Sequence, residues 1–527
     1  MKRTPAHMRF GELVIILSFA CAPQVRAQAV SIDPANMSRI ATIDPRFASY
    51  NIEMAEVTGG SFWKPYGANS KPTQAAKPVE AGSAPAGMDP NMYQYRPPVD
   101  LSNPRLRKLA AALSPAYIRV SGTWANTVYF ADSGNPPAKA PAGFSSVLTQ
   151  REWKGVIDFV HAVNGELVTS FATGAGTRNS QGVWTPKEAE RWLAFTKSAG
   201  GQIAAAEFMN EPTYAAMGGA PKGYDAGMYG RDIAVFGPWL KRKSPTTLFL
   251  GPGSVGEGPF AIEMGGMLYT EDLMKATGPA FDVFSYHLYA AASERCASMG
   301  GKTQTTAQAA LTPEWLSRPE KIDAFYAGLR DRFEPGKSLW ITETADAACG
   351  GNPWASTFLD TFRYLVEHAG LARRGVKVIM HNTLAASDYG LLDPSTFEPR
   401  PNYWATLLWR KLMGTTVLDP HIRETPNVYS YAHCLAGRPG GVAVLVINAD
   451  RKRTFDINLP MAAERYTLTA HRLEDPAVQL NGQTLHLTPG GELPQLTGEP
   501  TKAGRVILAP VSVTYLALEN AGNDACR

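Results

Sequence analysis

The sequence predicts an α/β fold, a (β/α)8 TIM barrel with a C-terminal β-sandwich domain that may include an N-terminal strand. Three observations lead there. Eight apolar, strand-like runs alternate with helix-patterned segments, those segments carry helix-start signals, and near Met413 the texture changes to short alternating runs.

In chain order the runs are 47–54, 116–120, 166–171, 204–209, 248–251, 281–286, 338–342 and 376–381. Each is the length of a strand, and most precede a segment with helical spacing, as parallel strands with helical crossovers require. The intervening helices have recognisable starts. Thr149 with Glu152 and Thr185 with Glu188 read as capping boxes, and Pro186 and Pro313 stand where a first helical residue needs no N–H. A doubly wound open sheet is the rival, but no Gly-x-Gly-x-x-Gly turn follows an early strand.

Beyond Met413, the runs 428–433, 441–448, 453–459, 466–473, 483–487 and 505–518 are separated by Gly, Pro, Asp or Asn, which reads as a β-sandwich. The expected organisation is therefore a leader over 1–27, an N-terminal strand over 28–45 joining the sandwich, a barrel over 46–412 and the sandwich over 413–527. Residues 57–101 interrupt the first crossover. They carry Phe62, Trp63, Tyr66, Tyr93 and Tyr95, and read either as a lid over the substrate site or as a flexible insertion.

At 527 residues and 44% hydrophobic content the chain can bury a large core. Lys2, Arg3 and Arg9 precede an apolar run from Leu13 to Ala22, and Val25-Arg26-Ala27 ends it, the pattern of a secretory signal peptide. The expected mature protein is secreted or periplasmic, with no membrane segment. Without the leader the formal charge falls from +4 to +1, and no Lys/Arg run of five occurs, which argues against a nucleic-acid partner. Of five cysteines, Cys296, Cys349, Cys434 and Cys526 follow the leader. Three pairings are open, as are free thiols; pairing within each expected domain joins Cys296 to Cys349 and Cys434 to Cys526.

Chemistry in such barrels sits at the C-terminal ends of the strands. Glu211 follows the fourth run in Asn210-Glu211-Pro212, where the proline is expected to hold it extended. Glu343 closes the seventh. Two carboxylates on one rim suit glycoside hydrolysis, one as acid and one as nucleophile, with a retaining outcome at about 5 Å. Arg119 and Tyr289, after the second and sixth runs, are placed to hold Glu343 as its anion, leaving Glu211 as the proton carrier; an ordinary rim ion pair is the alternative for Arg119. His287 and His381 have no metal-ligand spacing and read as substrate contacts or satisfied core groups. No metal or cofactor is expected.

Several blocks resemble glycoside hydrolase family 79, the heparanase and β-glucuronidase group. They are 339–351, 370–373, 388–393, Asn402-Tyr403-Trp404, Gly414-Thr415, 116–119 with Gly122-Thr123, and 286–289. The resemblance implies a retaining mechanism on a barrel whose sandwich is partly built from the N-terminus. It makes Glu211 the acid/base, Glu343 the nucleophile and Asn210 a partner of the sugar 2-hydroxyl. Gly350 and Gly351 would offer backbone amides to a uronate carboxylate, with the Tyr389 hydroxyl. Glu53 falls at an aspartate of the family near the non-reducing sugar and Asn382 at a glutamine, and Thr123 and Tyr289 complete the substrate-binding set. Two departures stand out: one extra residue between Glu343 and the glycine pair, and no evident basic segments for sulfated chains.

The expected function is a secreted retaining β-glucuronidase acting on terminal glucuronic acid of glycans or glucuronides. An endo-acting glycosaminoglycan hydrolase, a non-catalytic carbohydrate-binding barrel, and a xylanase or glucanase are the alternatives.

Overall fold

The computed structural model describes Met1, residues 29–67, Pro85, and residues 87–262, 265–300 and 302–527. The leader expected over 1–27 lies, Met1 apart, outside the described residues, as does the middle of the 57–101 segment. Among the described residues no helix is long and apolar enough to cross a membrane.

Eight parallel strands close a barrel in chain order: β1 Ala48–Glu53, β2 Ala116–Ser121, β3 Gly165–Ser170, β4 Ile203–Glu207, β5 Leu248–Ser254, β6 Val283–Tyr289, β7 Leu339–Ala345 and β8 Val378–His381. The inside alternates with the outside at period two. Tyr117, Val168, Ala205, Leu250, Val283, Trp340, Val378 and Met380 form an apolar floor. Two positions further along their strands stand Arg119, Glu207, Ser285 and Thr342, so the next layer is polar. This change of chemistry along the axis marks the functional end.

Helix starts follow local sequence where the cap residues are free to act. Thr149 and Glu152 make both halves of a capping box on Gln150–Ala162, and the Thr312 hydroxyl accepts Trp315 N at 3.3 Å on Pro313–Leu316. The second predicted box does not form. Thr185 donates to Thr177 O at 2.8 Å, and the Glu188 carboxylate accepts Phe130 N and Arg191, so Lys187–Ser198 starts after an uncapped Pro186. Tertiary partners outcompeted the local motif.

The N-terminus enters both sheets of the sandwich. Arg39–Thr42 pairs with Met413–Leu418 at the edge of a nine-stranded sheet, and Val30–Ser31 pairs with Phe455–Leu459 in a three-stranded one. Ile32, Met37, Val444, Val446, Ile457, Val506 and Leu516 fill the space between. The predicted run 505–518 is two strands, Gly504–Leu508 and Ser512–Leu518, one in each sheet. Likewise 466–473 is shorter at its end: the strand is Ala463–Thr469, and the carbonyls of Leu473 and Asp475 beyond it accept Leu359 N at 2.7 Å and Phe358 N at 3.0 Å. They satisfy orphan N–H groups of the helix Phe358–Arg373, which is buried between the two domains along nearly its whole length. Both disulfides follow the within-domain pairing, Cys296–Cys349 and Cys434–Cys526.

Candidate active site

Arg119 is the centre of the site. Its guanidinium is 1% exposed and spends every edge on a neighbour. Nε and Nη2 reach Glu207 Oε2 at 3.0 and 2.9 Å, Nη1 reaches Glu343 Oε2 at 3.0 Å, and Nη2 also donates to Asn210 Oδ1 at 2.7 Å. Glu207 Oε1 accepts the hydroxyls of Ser285 at 2.9 Å and Thr342 at 2.7 Å. Burial opposes the charge of Glu207, but Arg119, His287 and the Thr342 hydroxyl together outweigh it and hold the carboxyl below the usual range. Arg119 is thus no rim ion pair; it couples Glu207, buried beneath the site, to Glu343 within it.

Glu343 points into the barrel because β7 is irregular. Across the β6–β7 pair, Tyr286 faces Ile341 and the next residue, His287, faces Glu343. Thr342 is the extra residue of a bulge, so Thr342 and Glu343 both turn inward instead of alternating. The Tyr289 hydroxyl donates to Glu343 Oε1 at 2.6 Å, and Asn382 Nδ2 lies 3.4 Å from the same oxygen. Both carboxylate oxygens of Glu343 therefore accept strong bonds, one charge-assisted.

Glu211 is not extended. It takes the left-handed conformation at φ 51° and ψ 64°. Pro212 disfavours the right-handed helical region for the residue before it. The turn is then fixed from outside: the Asn126 amide accepts Asn210 N at 2.8 Å and donates to Asn210 O at 2.9 Å. Strain of this kind concentrates at functional positions. Glu211 Oε1 meets His287 Nδ1 at 3.0 Å, while His287 Nε2 lies 3.3 Å from Arg119 Nη2. Arginine only donates, so Nε2 accepts, and the ring proton sits on Nδ1 and points at Glu211. Burial raises the Glu211 pKa, and repulsion from Glu343 adds to it against the pull of His287 and Arg119.

One oxygen of Glu211, one of Glu343 and a ring nitrogen of His287 lie within 4.8 Å of one another. The nearest oxygens of the two carboxylates thus stand closer than the roughly 6.5–9.5 Å that separates the carboxyl groups of an inverting hydrolase. The same three groups resemble a ligand set, but the Arg119 guanidinium already supplies the positive charge beside them. His287, expected as a substrate contact or a satisfied core group, meets both Glu211 and Arg119, and Glu207, which no motif marked as a site residue, belongs to the same network. The available signal was Glu207 itself, a lone charge in an alanine-rich strand, which demands a buried partner. His381 is a core group, its Nε2 on Tyr389 O at 2.8 Å.

Beside Glu343, Asn382 Nδ2 gathers Glu53 Oε1 at 3.1 Å, Tyr289 Oη at 3.1 Å and Tyr389 Oη at 3.2 Å. Burial, then repulsion from Glu343, raises the Glu53 pKa well above a normal carboxyl despite Arg119 and Asn382. Its Oε2 lies over Gly122, where a Cβ would come within 1.6 Å of it at φ +96°, so only glycine fits. Glu53 Oε2 and Asn382 Oδ1 are buried with no protein partner.

These groups line a recess of about 730 Å³, a volume that includes space open to solvent. Glu53, Thr123, Glu211, Tyr289, Glu343, Asn382 and Tyr389 form its polar part. Gly350 and Gly351 are not on this wall; Ala348 and Cys349 are. The extra residue after Glu343 alters this register, and a Cβ on Gly350 would fall 2.6 Å from Trp63 Cβ, so that glycine serves the packing of the insertion. Asn210 is also off the wall, buried with its Oδ1 on Arg119.

The described ends of the insertion pair as Gly60–Trp63 with Tyr93–Arg96, and Trp63 stacks on Tyr93 at 4.5 Å. Tyr66 fastens this hairpin: its N–H reaches Asp388 at 3.3 Å, and its hydroxyl and ring take Arg295, itself 3.1 Å from Asp388.

The family profile for the N-terminal domain of glycosyl hydrolase family 79 matches residues 98–369, more than half of the chain. The chain belongs to glycosyl hydrolase family 79. It is 27% identical over 487 residues to heparanase-like protein 1 of Arabidopsis thaliana, covering 81% of this chain and 86% of that one. It is 32% identical over 283 residues to baicalin-β-D-glucuronidase of Scutellaria baicalensis, about half of each chain. A 4-O-α-L-rhamnosyl-β-D-glucuronidase from Fusarium oxysporum 12S shares the fold at TM-score 0.60 and 15% identity, covering 93% and 99% of the two chains. As a family 79 glycosidase, the protein has its paired carboxylates at the C-terminal rim of the barrel, where such enzymes carry their chemistry.

Proposed function

We propose that this family 79 protein is a retaining β-glucuronidase that releases terminal glucuronic acid by double displacement. The observation that carries the reading is the approach of one oxygen each of Glu211 and Glu343 to within 4.8 Å, both facing His287 Nδ1 at 3.0 and 3.8 Å. Glu343, accepting bonds from Arg119 and Tyr289, attacks the anomeric carbon. Glu211, whose burial favours the protonated form, gives its proton to the departing oxygen. The resulting glycosyl ester on Glu343 is then opened by water, whose proton returns to Glu211, so the configuration is retained.

A uronate is reasonable here because Glu53 and Glu211, with raised pKa values, add less negative charge than three ionised carboxylates would. The unpartnered Glu53 Oε2 and Asn382 Oδ1 suit ring hydroxyls, and the Tyr389 hydroxyl suits the uronate carboxylate. Removal of a terminal sugar is favoured because the Trp63 and Tyr93 hairpin closes one side of the recess. The leader pattern and the two disulfides support a secreted or periplasmic enzyme.

Incubation with an aryl glucuronide and with heparan sulfate tests the proposal. Free glucuronate from the aryl substrate with retained β configuration at first release is expected; rapid shortening of heparan sulfate without free glucuronate would replace it with endo action. Equal turnover of glucoside, xyloside and glucuronide would remove the uronate assignment.

The pH profile follows from the acid. The raised Glu211 pKa means that the active, protonated form persists to higher pH, and kcat/KM is expected to fall as pH rises through that value. In Glu211→Gln this alkaline limb should vanish, and the loss of rate should be greatest for poor leaving groups. An alkaline limb that survives the substitution would assign the proton to another group.

A further inference from the structure

The leaving group departs beside the acid, so the wall next to Glu211 defines what the glucuronide carries. Tyr214 and Met217 follow Glu211 on the next turn of chain, and Val255, Ile262 and Met299 come from the loops after β5 and β6. Tyr214 is locked there, its hydroxyl on Ile262 O at 2.6 Å. Trp124, Trp63, Tyr93 and Met88 complete the same surface from across the recess, Tyr93 and Trp124 meeting edge to face at 6.3 Å. Ile262, Met88 and Tyr93 belong to one apolar cluster, with Met217, Met299, Trp63 and Trp124 packed against it.

The recess is thus divided. Hydrogen-bonding groups gather at β7, β8 and β1, at Glu343, Asn382 and Glu53; thioether, aliphatic and aromatic side chains make up the rest of the lining, from Tyr214 and Met217 after the acid to Trp63 and Trp124, which pack near β1 and β8 against Ala55 and Ala386. Among the described residues lining it there is no Lys, Arg or His. Among those described residues a sulfated saccharide meets no cation, only the carboxyl groups of Glu53, Glu211 and Glu343. A flat apolar group would instead lie against indole, phenol and thioether surfaces that bury large area and tolerate varied shapes.

Resting on the glucuronidase reading above, we infer that the enzyme's substrates are β-glucuronides of aromatic, largely apolar aglycones, held by the Met217–Ile262–Trp124 wall. Leaving-group reactivity must be kept out of the test, so the probes are 2-naphthyl glucuronide and its 6-sulfonate, two naphthols of similar acidity. The naphthyl substrate is expected to exceed the sulfonate in kcat/KM by about 10-fold or more, from the size of discrimination an apolar pocket gives. Met217→Ala should shrink that ratio, and Met217→Lys should reverse it. A ratio near one in the wild-type enzyme, or one that neither variant changes, would overturn the inference while leaving glucuronidase activity intact. If 2-naphthyl glucoside were cleaved and neither glucuronide were, the glucuronidase reading would fall; the ratio measured on the two matching glucosides would then decide the wall separately.

Discussion

Glu343→Gln is expected to lower kcat on an aryl glucuronide by at least about 10⁴-fold, the scale seen when a covalent nucleophile is removed. The amide is nearly isosteric and can still accept the Tyr289 hydroxyl, so the pocket should keep its shape. Sugar binding should therefore survive, and calorimetric titration with glucuronic acid before and after substitution separates the two effects. Retained turnover would mean that Glu343 is not the nucleophile. Loss of binding together with turnover would make it a structural anchor of Arg119.

Arg119→Met is expected to be the most destabilising single change near the site. It leaves Glu207, 1% exposed at its side chain, without the cation that both desolvation and geometry demand. Breaking a buried pair in this way costs about 3–5 kcal/mol, much of it the uncompensated charge. Denaturant unfolding should show a lower midpoint at similar slope. Adding Glu207→Gln should recover part of the loss, because the charge left behind is then removed. A double-mutant cycle measures that coupling directly. A fully stable Arg119→Met protein, or strictly additive losses, would show that the two side chains do not depend on each other.

Much of the scaffold was legible. Each barrel strand falls within a few residues of an apolar run, because a strand walled by helices has to be apolar on its outer face and can be read locally. The Thr149 cap and the N-terminal strand were readable for similar reasons: a hydroxyl three residues before a glutamate, and an alternating piece left outside the count of eight. Local reading failed where a distant side chain competed. Thr185 and Glu188 had better partners in Thr177, Phe130 and Arg191 than in each other. Gly350 and Gly351 carried the expected residue types, but the residues that line the recess at that turn are Ala348 and Cys349.

The sequence by itself determined that the chain closes eight strands and brings Glu211 and Glu343 to one rim, since both facts follow from short-range periodicity and order along the chain. Only the tertiary structure decided how those carboxylates are held. Glu343 faces inward through a bulge at Thr342, Glu211 turns through a left-handed residue clamped by Asn126, and Arg119 joins partners 88 and 224 positions away in sequence. Period-two alternation would have sent Thr342 and Glu343 to opposite faces. The bulge and the buried charges are set by contacts that exist only once the barrel has closed, and a local pattern carries no trace of them.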